Sequence, residues 1–324
     1  MSLTVVGSIG VLVAFFIAVR AFADLASAAT PGLGGGDAQL GFPTSVLSVS
    51  LFALVVAVGV SRLVGARFAR WFSIAFAIIL LAGASYQVWA GVVSFSPLGL
   101  LLTGLAAAAF GLAVGGLVRT RLAAPEPQVP MTNRAFALAI FLIVAGVLGW
   151  FASYSLTVEK VVAIIDPNAD LSCNFSILVQ CGTNLKSWQG SLFGFPNPLI
   201  GLTGFIAPIV VGFAILAGAR FSRWFWIAFN IGIIGALGFV IWLIGQSIFI
   251  LGTLCPWCML VWSVTIPMFW LVTFYNLKSG NIPVPERTRR IFAGAYSYVP
   301  LITLLSLIVV ALLAQVRLDA INYL

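Results

Sequence analysis

The sequence contains little charge and no histidine. Only 7% of its 324 residues are Asp, Glu, Lys or Arg, whereas 62% are hydrophobic. A soluble globular domain carries about 25% charged residues, so this composition excludes a water-soluble globule and indicates a protein that crosses a membrane several times. The chain has no histidine to bind zinc, and a site made of its four cysteines would be unusual in this setting.

Nine apolar stretches are long enough to cross a bilayer as helices, which takes about 20 residues each. They cover approximately residues 3–25, 43–63, 71–93, 97–118, 135–157, 196–217, 225–247, 253–276 and 291–314. Twelve of the sixteen basic residues fall in alternate connecting loops. The positive-inside rule therefore predicts a cytoplasmic N-terminus in a multi-pass plasma-membrane or inner-membrane protein.

A repeated stretch predicts that the chain contains two related bundles. "GARFARWFSIAF" at 65–76 and "GARFSRWFWIAF" at 218–229 are identical at ten of twelve positions, and "GFP" recurs at the same offset of 153 residues. Four helices per copy is an even number, so the two copies would run parallel. We expect an all-α fold with a degenerate, cysteine-free four-helix bundle (1–118), a cytoplasmic linker (119–134), a second four-helix bundle (135–276) with an outer loop (158–195), and a cytoplasmic loop with a C-terminal transmembrane helix (277–324).

All four cysteines lie in the second copy, on the predicted outer face. Cys173 and Cys181 fall in the outer loop, and Cys255 and Cys258 open the eighth predicted helix in "LCPWCM". Pro256 suits the first turn of a helix, which places Cys255 near the N-cap and Cys258 within the first turn, where the helix dipole favours a thiolate. These features favour redox chemistry; two structural disulfides and a metal site are the alternatives.

The motifs together resemble those of the vitamin K epoxide reductase family, and bacterial members most of all. The residues that carry the resemblance are "CNFSILVQCG", "SLFGFPNPLIG" and "CPWC", within about residues 135–276. The resemblance implies a four-helix bundle around a quinone (menaquinone or ubiquinone), with no metal. It also implies a separate extracytoplasmic DsbA-type partner with a thioredoxin fold, which the protein would oxidise to drive disulfide formation.

The resemblance further implies a role for each cysteine. Cys258 would react with the quinone, and Cys255 would resolve it as the C-x-x-C disulfide. Cys181 would exchange with Cys255, and Cys173 would meet the external partner.

Several residues are implied to cover or line the quinone pocket. They are Ser191, Phe193 and Asn197 of the loop-to-helix motif, together with Trp257 and Trp262. Tryptophans at the outer interface are also ordinary membrane-belt residues, which is the alternative for Trp257.

Two positions depart from the vertebrate pattern. Gly190 stands where vertebrate members have Asn, and Trp262 stands where they have Tyr. These departures argue against epoxide reduction and favour simple quinone reduction. The alternative function is a structural or assembly subunit of a membrane complex that has kept the fold.

Overall fold

The computed structural model describes residues 133–216, 218–219 and 221–319. This part of the chain is helical, and five of its helical stretches are long and apolar enough to cross a membrane. They are Phe136–Ile165, Pro198–Leu216, Arg223–Leu251, Pro256–Ser279 and Glu286–Leu318. The expected all-α fold is therefore confirmed for these residues, which include five candidate membrane-spanning helices. The predicted helices of the first bundle, the repeat at 65–76 and most of the linker lie outside the described residues.

The helices, numbered along the described chain, have the following bounds. They are α1 (Asn133–Ile165), α2 (Gly182–Lys186), a 3₁₀ turn (Trp188–Ser191), α3 (Pro198–Gly204), α4 (Ile206–Leu216), α5 (Arg223–Gly245), a π-helical segment (Gln246–Leu251), α6 (Pro256–Ser279), α7 (Glu286–Ala295), a second 3₁₀ turn (Tyr296–Tyr298) and α8 (Val299–Leu318).

The described residues divide into two compact units: 144–201 with 221–319, and 133–143 with 202–219. The first unit holds all four cysteines. In the second unit, α4 approaches α1 closely at Gly212, where an added Cβ would lie 2.6 Å from the carbonyl oxygen of Ala139. Only glycine permits that approach, as is common between helices in membranes.

Helix α1 is longer than the sequence pattern indicated. It has 33 residues and ends at Ile165, eight residues beyond the expected limit at 157, so the connecting loop begins at 166 rather than 158. At 1.5 Å per residue the helix is about 50 Å long, whereas a hydrocarbon core is about 30 Å thick. The last two turns of α1 can therefore extend beyond the hydrocarbon core and pack against the loop.

Helix α6 packs against α5, α7 and α8. Buried hydrogen bonds fix the C-terminal end of α6. The fully buried Asn276 donates from Nδ2 to the Trp226 carbonyl and to Asn230 Oδ1, both at 3.2 Å. Its Oδ1 accepts from Asn281 Nδ2 at 2.9 Å. Buried amides satisfied in this way set the register of α5 against α6.

The C-terminal region also differs from the expected single helix at 291–314. Pro285 precedes α7, an amphipathic helix with no buried residue, and the apolar helix α8 begins only at Val299. The basic sequence "ERTRR" at the start of α7 keeps that segment out of the apolar stretch. Helix α8 packs against α6 and against the π-helical segment, so it supports the helix that carries the Cys-x-x-Cys motif.

Candidate redox site

Three of the four cysteine sulfurs form a continuous chain. Cys173 and Cys181 are joined by a disulfide, with their Cα atoms 5.7 Å apart. Cys255 and Cys258 are free thiols. The Sγ atom of Cys255 lies 3.2 Å from the Sγ atom of Cys181. One thiol of the helix pair therefore touches the loop disulfide at its Cys181 sulfur.

The helix start places the second pair as its sequence predicted. Cys255 is the N-cap of α6, Pro256 follows at the first helical position, and the Cys255 sulfur accepts a hydrogen bond from the Cys258 backbone N–H at 3.4 Å. The free N–H groups and the dipole at a helix N-terminus favour a negatively charged group there. The structure therefore confirms the predicted N-cap position of Cys255.

A short parallel bridge brings the loop to the helix start. Val179 pairs with Leu254: the Leu254 N–H donates to the Leu178 carbonyl at 2.8 Å, and the Gln180 N–H donates to the Leu254 carbonyl at 3.0 Å. Because each bridged segment is followed directly by a cysteine, the bridge sets Cys181 beside Cys255. This element was not predicted from the sequence, although the short apolar run "ILV" before Gln180 is a weak strand signal.

The chain can enter that bridge because of one glycine. Gly252 ends the π-helical segment with φ of +66°, a conformation that side-chain-bearing residues adopt only at a cost. The turn is held by Ser247, whose hydroxyl donates to the Thr253 carbonyl at 2.5 Å while its own carbonyl accepts from the Thr253 N–H at 3.2 Å. A turn of this kind lets α5 end and Leu254 run extended before α6 begins.

Apolar side chains cover the three adjoining sulfur atoms of Cys173, Cys181 and Cys255. Cys181 and Cys255 have no exposed surface and Cys173 is 2% exposed, while Cys258 is half-buried. The covering residues come from α1, from the loop and from α2, and they are Leu156, Ala163, Leu171 and Leu185. Water is thus kept from the exchanging sulfurs. The loop disulfide is also shielded from any outside thiol in this conformation.

Two neighbouring residues at the end of α1 hold the loop closed, and sequence reasoning did not find them. Glu159 is buried and its carboxylate accepts a hydrogen bond from the hydroxyl of Ser172, the residue before Cys173. The Lys160 ammonium donates to the Leu185 carbonyl in α2, the helix that follows Cys181. The two contacts fix the chain on both sides of the disulfide. We call this pair of contacts the loop clamp.

Ser172→Ala is expected to open the loop clamp on the Cys173 side. Loss of this hydrogen bond to a buried carboxylate should cost the closed state about 1–1.4 kcal/mol, so dithiothreitol should reduce the Cys173–Cys181 disulfide about 5- to 10-fold faster. The rate is measured by alkylating quench and mass spectrometry on the purified full chain. Ser155→Ala, which removes only an exposed hydrogen bond to the Phe151 carbonyl within α1, is the control. An unchanged rate for Ser172→Ala would show that the clamp does not limit access.

The predicted pocket residues of the loop-to-helix motif differ in their burial and in their contacts. Asn197 is buried and organises its own loop: its Nδ2 donates to the Gln189 carbonyl at 2.6 Å, and its Oδ1 accepts from the Leu192 N–H at 3.1 Å. Ser191 ends the 3₁₀ turn at intermediate exposure. Phe193 is exposed and its ring lies 5.9 Å from that of Phe239. The motif therefore forms a compact turn with an exposed aromatic surface.

The two predicted tryptophans lie on α6 on either side of Cys258. Trp257 is half-buried, and its ring meets the Phe151 ring edge-on at a centroid distance of 5.6 Å. Trp262, one helical turn beyond Cys258, is 4% exposed and belongs to an apolar cluster against which Cys258 also packs. Its indole Nε1 has no hydrogen-bond partner within the described ranges. No group of three or more His, Cys, Asp or Glu side chains able to hold a metal ion occurs in the part of the chain that the structure describes.

Comparison with known families agrees with this arrangement. Residues 140–273 match the family model described as the Vitamin K epoxide reductase family. The matched stretch begins within α1, ends within α6 and includes all four cysteines. No curated protein and no solved structure matches the chain significantly.

Proposed function

We propose that the chain is a member of the vitamin K epoxide reductase family, whose model residues 140–273 match, and that it carries electrons from an extracytoplasmic thiol protein to a membrane quinone. The proposed donor is a reduced DsbA-type protein with a thioredoxin fold, which leaves the reaction with a new disulfide. The membrane thiol oxidoreductase class follows from the family and from the apolar helices. The donor, the quinone and the roles of the residues are the proposal.

One observation carries the proposal: the 3.2 Å contact between Cys255 Sγ and Cys181 Sγ. Two structural disulfides would need no contact between pairs, and a buried free thiol against a disulfide would be a liability in a scaffold. Thiol–disulfide exchange needs this kind of contact, because the attacking sulfur must reach one sulfur of the disulfide. The contact also supports Cys181, rather than Cys173, as the loop residue that exchanges with the helix pair.

The electron path runs through two exchanges. The Cys181 thiolate attacks Cys255 of a Cys255–Cys258 disulfide, forming a Cys181–Cys255 bond and releasing Cys258 as a thiolate. The Cys173 thiolate then attacks Cys181, forming the Cys173–Cys181 disulfide and releasing Cys255. The loop is oxidised by two electrons and the helix pair is reduced by two. The observed state, with the loop disulfide closed and the helix thiols free, matches the end of this transfer.

The surroundings of Cys258 fit a quinone. A bound quinone supplies a two-electron, two-proton acceptor for the helix thiols. Trp262 Nε1 is a buried donor with no partner among the described residues, and such a donor costs about 1–3 kcal/mol when left unpaired. A carbonyl oxygen would satisfy it, one helical turn from Cys258 and within the apolar cluster that Cys258 contacts.

The proposed sidedness follows from the charge pattern. The basic residues at the start of α5 and within α7 would lie in the cytoplasm by the positive-inside rule. The cysteine end of α6 would then lie at the extracytoplasmic boundary, where disulfides persist and where exported proteins need them.

The test uses the purified full chain in lipid nanodiscs with dithiothreitol as reductant and ubiquinone-1 or menadione as acceptor. We expect quinone reduction, followed by its absorbance, to match dithiothreitol oxidation one to one. A variant with all four cysteines replaced by serine is the control and should remain at the uncatalysed rate. Equal rates for the two proteins would rule out the proposed function.

A further inference from the structure

Two large apolar side chains project from the loop that the disulfide closes. We call residues 173–181, closed by the Cys173–Cys181 disulfide, the disulfide ring. Within it Phe175 is 73% exposed and Ile177 is 89% exposed, whereas the neighbouring Leu178 and Val179 are buried. Polar residues usually occupy the tip of a loop, so two exposed apolar side chains there call for an explanation.

The disulfide ring presents these side chains on a preorganised backbone. The N–H groups of Phe175 and Ser176 both donate to the Val179 carbonyl, at 2.9 and 3.1 Å. Gln180 Nε2 donates to the Ile177 carbonyl at 2.6 Å. Asn174 Oδ1 accepts from the Cys181 N–H at 3.1 Å and also from the next backbone N–H at 3.2 Å. A rigid apolar projection loses little conformational entropy when it is covered, which suits a binding anchor.

We propose that Phe175 and Ile177 form the docking surface for the thiol protein that this chain oxidises, a thioredoxin-fold protein with an apolar patch beside its reactive dithiol. This inference rests on the proposed function. A mixed disulfide has an S–S bond of about 2.05 Å, so a partner joined to either loop cysteine must cover the surface next to the disulfide ring. Phe175 lies two residues from Cys173, and Ile177 lies four residues from each cysteine.

An exposed docking surface also explains how a partner could react with a buried disulfide. The partner must reach a loop sulfur, yet Cys173 is 2% exposed and Cys181 is fully buried. A partner bound at the exposed tip stays close to the loop disulfide. When the loop clamp opens, the partner's thiolate can attack that disulfide at high effective concentration. Docking and exchange are thus separate steps, the first on exposed apolar side chains and the second on a buried disulfide.

The test compares the double variant Phe175→Ser/Ile177→Ser with the wild type. The electron donor is either a purified, reduced DsbA-type protein or dithiothreitol, and ubiquinone-1 is the acceptor in nanodiscs. We expect the KM for the protein donor to rise about tenfold or more, as for loss of apolar anchors, with the dithiothreitol rate unchanged. Ile165→Ser removes another exposed isoleucine, at the end of α1, and should leave both rates unchanged.

Three outcomes would overturn the docking surface. An unchanged KM for the protein donor would show that the tip does not bind it. An equal loss with dithiothreitol would show that the substitutions disturb the disulfide ring itself. If the wild type reacts with dithiothreitol but not with the protein donor, the partner class of the proposed function is wrong and the docking surface falls with it.

A photo-crosslinking experiment separates a protein surface from a membrane contact. p-Benzoylphenylalanine replaces Phe175 in the full chain reconstituted in phospholipid vesicles, with the same replacement of Ile165 as control. A cross-link to the added reduced DsbA-type protein that depends on position 175 supports the proposal. Cross-linking of position 175 to phospholipid, with or without the added protein, would assign the tip to the bilayer surface and overturn it.

Discussion

Replacing Cys258 by alanine is expected to abolish quinone reduction with every electron donor. The rate should fall by about a thousandfold or more, because the only helix thiol with exposed surface is lost and the two-electron disulfide of the helix pair cannot form. Cys173→Ala should behave differently. Dithiothreitol can still reduce the helix pair in that variant, so small-thiol activity should persist while oxidation of the protein donor stops.

The measurement is quinone absorbance in nanodiscs with each donor in turn. Thermal unfolding of each variant serves as the control for folding. Equal losses of both activities in both variants would contradict the order of electron flow, and persistence of quinone reduction in Cys258→Ala would remove Cys258 from the reaction.

The start of α6 could be predicted from its local sequence. Pro256 lacks an N–H and fits the first turn, so "CPWC" fixes Cys255 at the N-cap without reference to the rest of the fold. The structure confirms this position. The five apolar helical stretches of the described region were likewise foreseen, because span length and hydrophobicity depend on composition alone.

The contact between the two cysteine pairs could not be predicted in the same way. It depends on the bridge between Val179 and Leu254, two residues 75 positions apart that form a single pairing, too short to give an alternating pattern. It also depends on Gly252, whose positive φ marks the turn only once the backbone is known. The resemblance to a family implied the partnership of Cys181 and Cys255, and the geometry supports it.

The loop clamp shows why the burial of Cys173 was missed. From the sequence, Glu159 and Lys160 belonged to the outer loop, because an apolar span was expected to end once charges appear. Helix α1 instead continues to Ile165, where both charges find partners in the loop and in α2. Long helices that extend past the membrane carry their charges into the adjacent domain, and hydropathy does not register this. The cysteine-free first bundle lies outside the described residues and stays a prediction.

The second large effect is expected in the variant Cys258→Ser, which should accumulate a Cys181–Cys255 disulfide. The Cys255 sulfur is 3.2 Å from the Cys181 sulfur, so on losing its proton it can attack there and release Cys173. In the wild type Cys258 resolves this bond by attacking Cys255, but serine cannot. Cys173 remains able to reverse the step, so the single variant should hold a mixture of the two disulfides.

The double variant Cys173→Ala/Cys258→Ser removes the reverse step. When diamide is added as the two-electron oxidant of the two remaining thiols, this variant should hold the Cys181–Cys255 bond in nearly every molecule. Four cysteines allow three pairings, and peptide mapping under non-reducing conditions distinguishes them in the single variant. Cys181→Ser/Cys258→Ser is the matched control, because its two remaining cysteines, Cys173 and Cys255, form no sulfur contact that would favour bonding. A Cys173–Cys255 disulfide as the main product of Cys258→Ser would reverse the roles of the two loop cysteines. The partner protein would then have to meet Cys181, the more deeply buried sulfur.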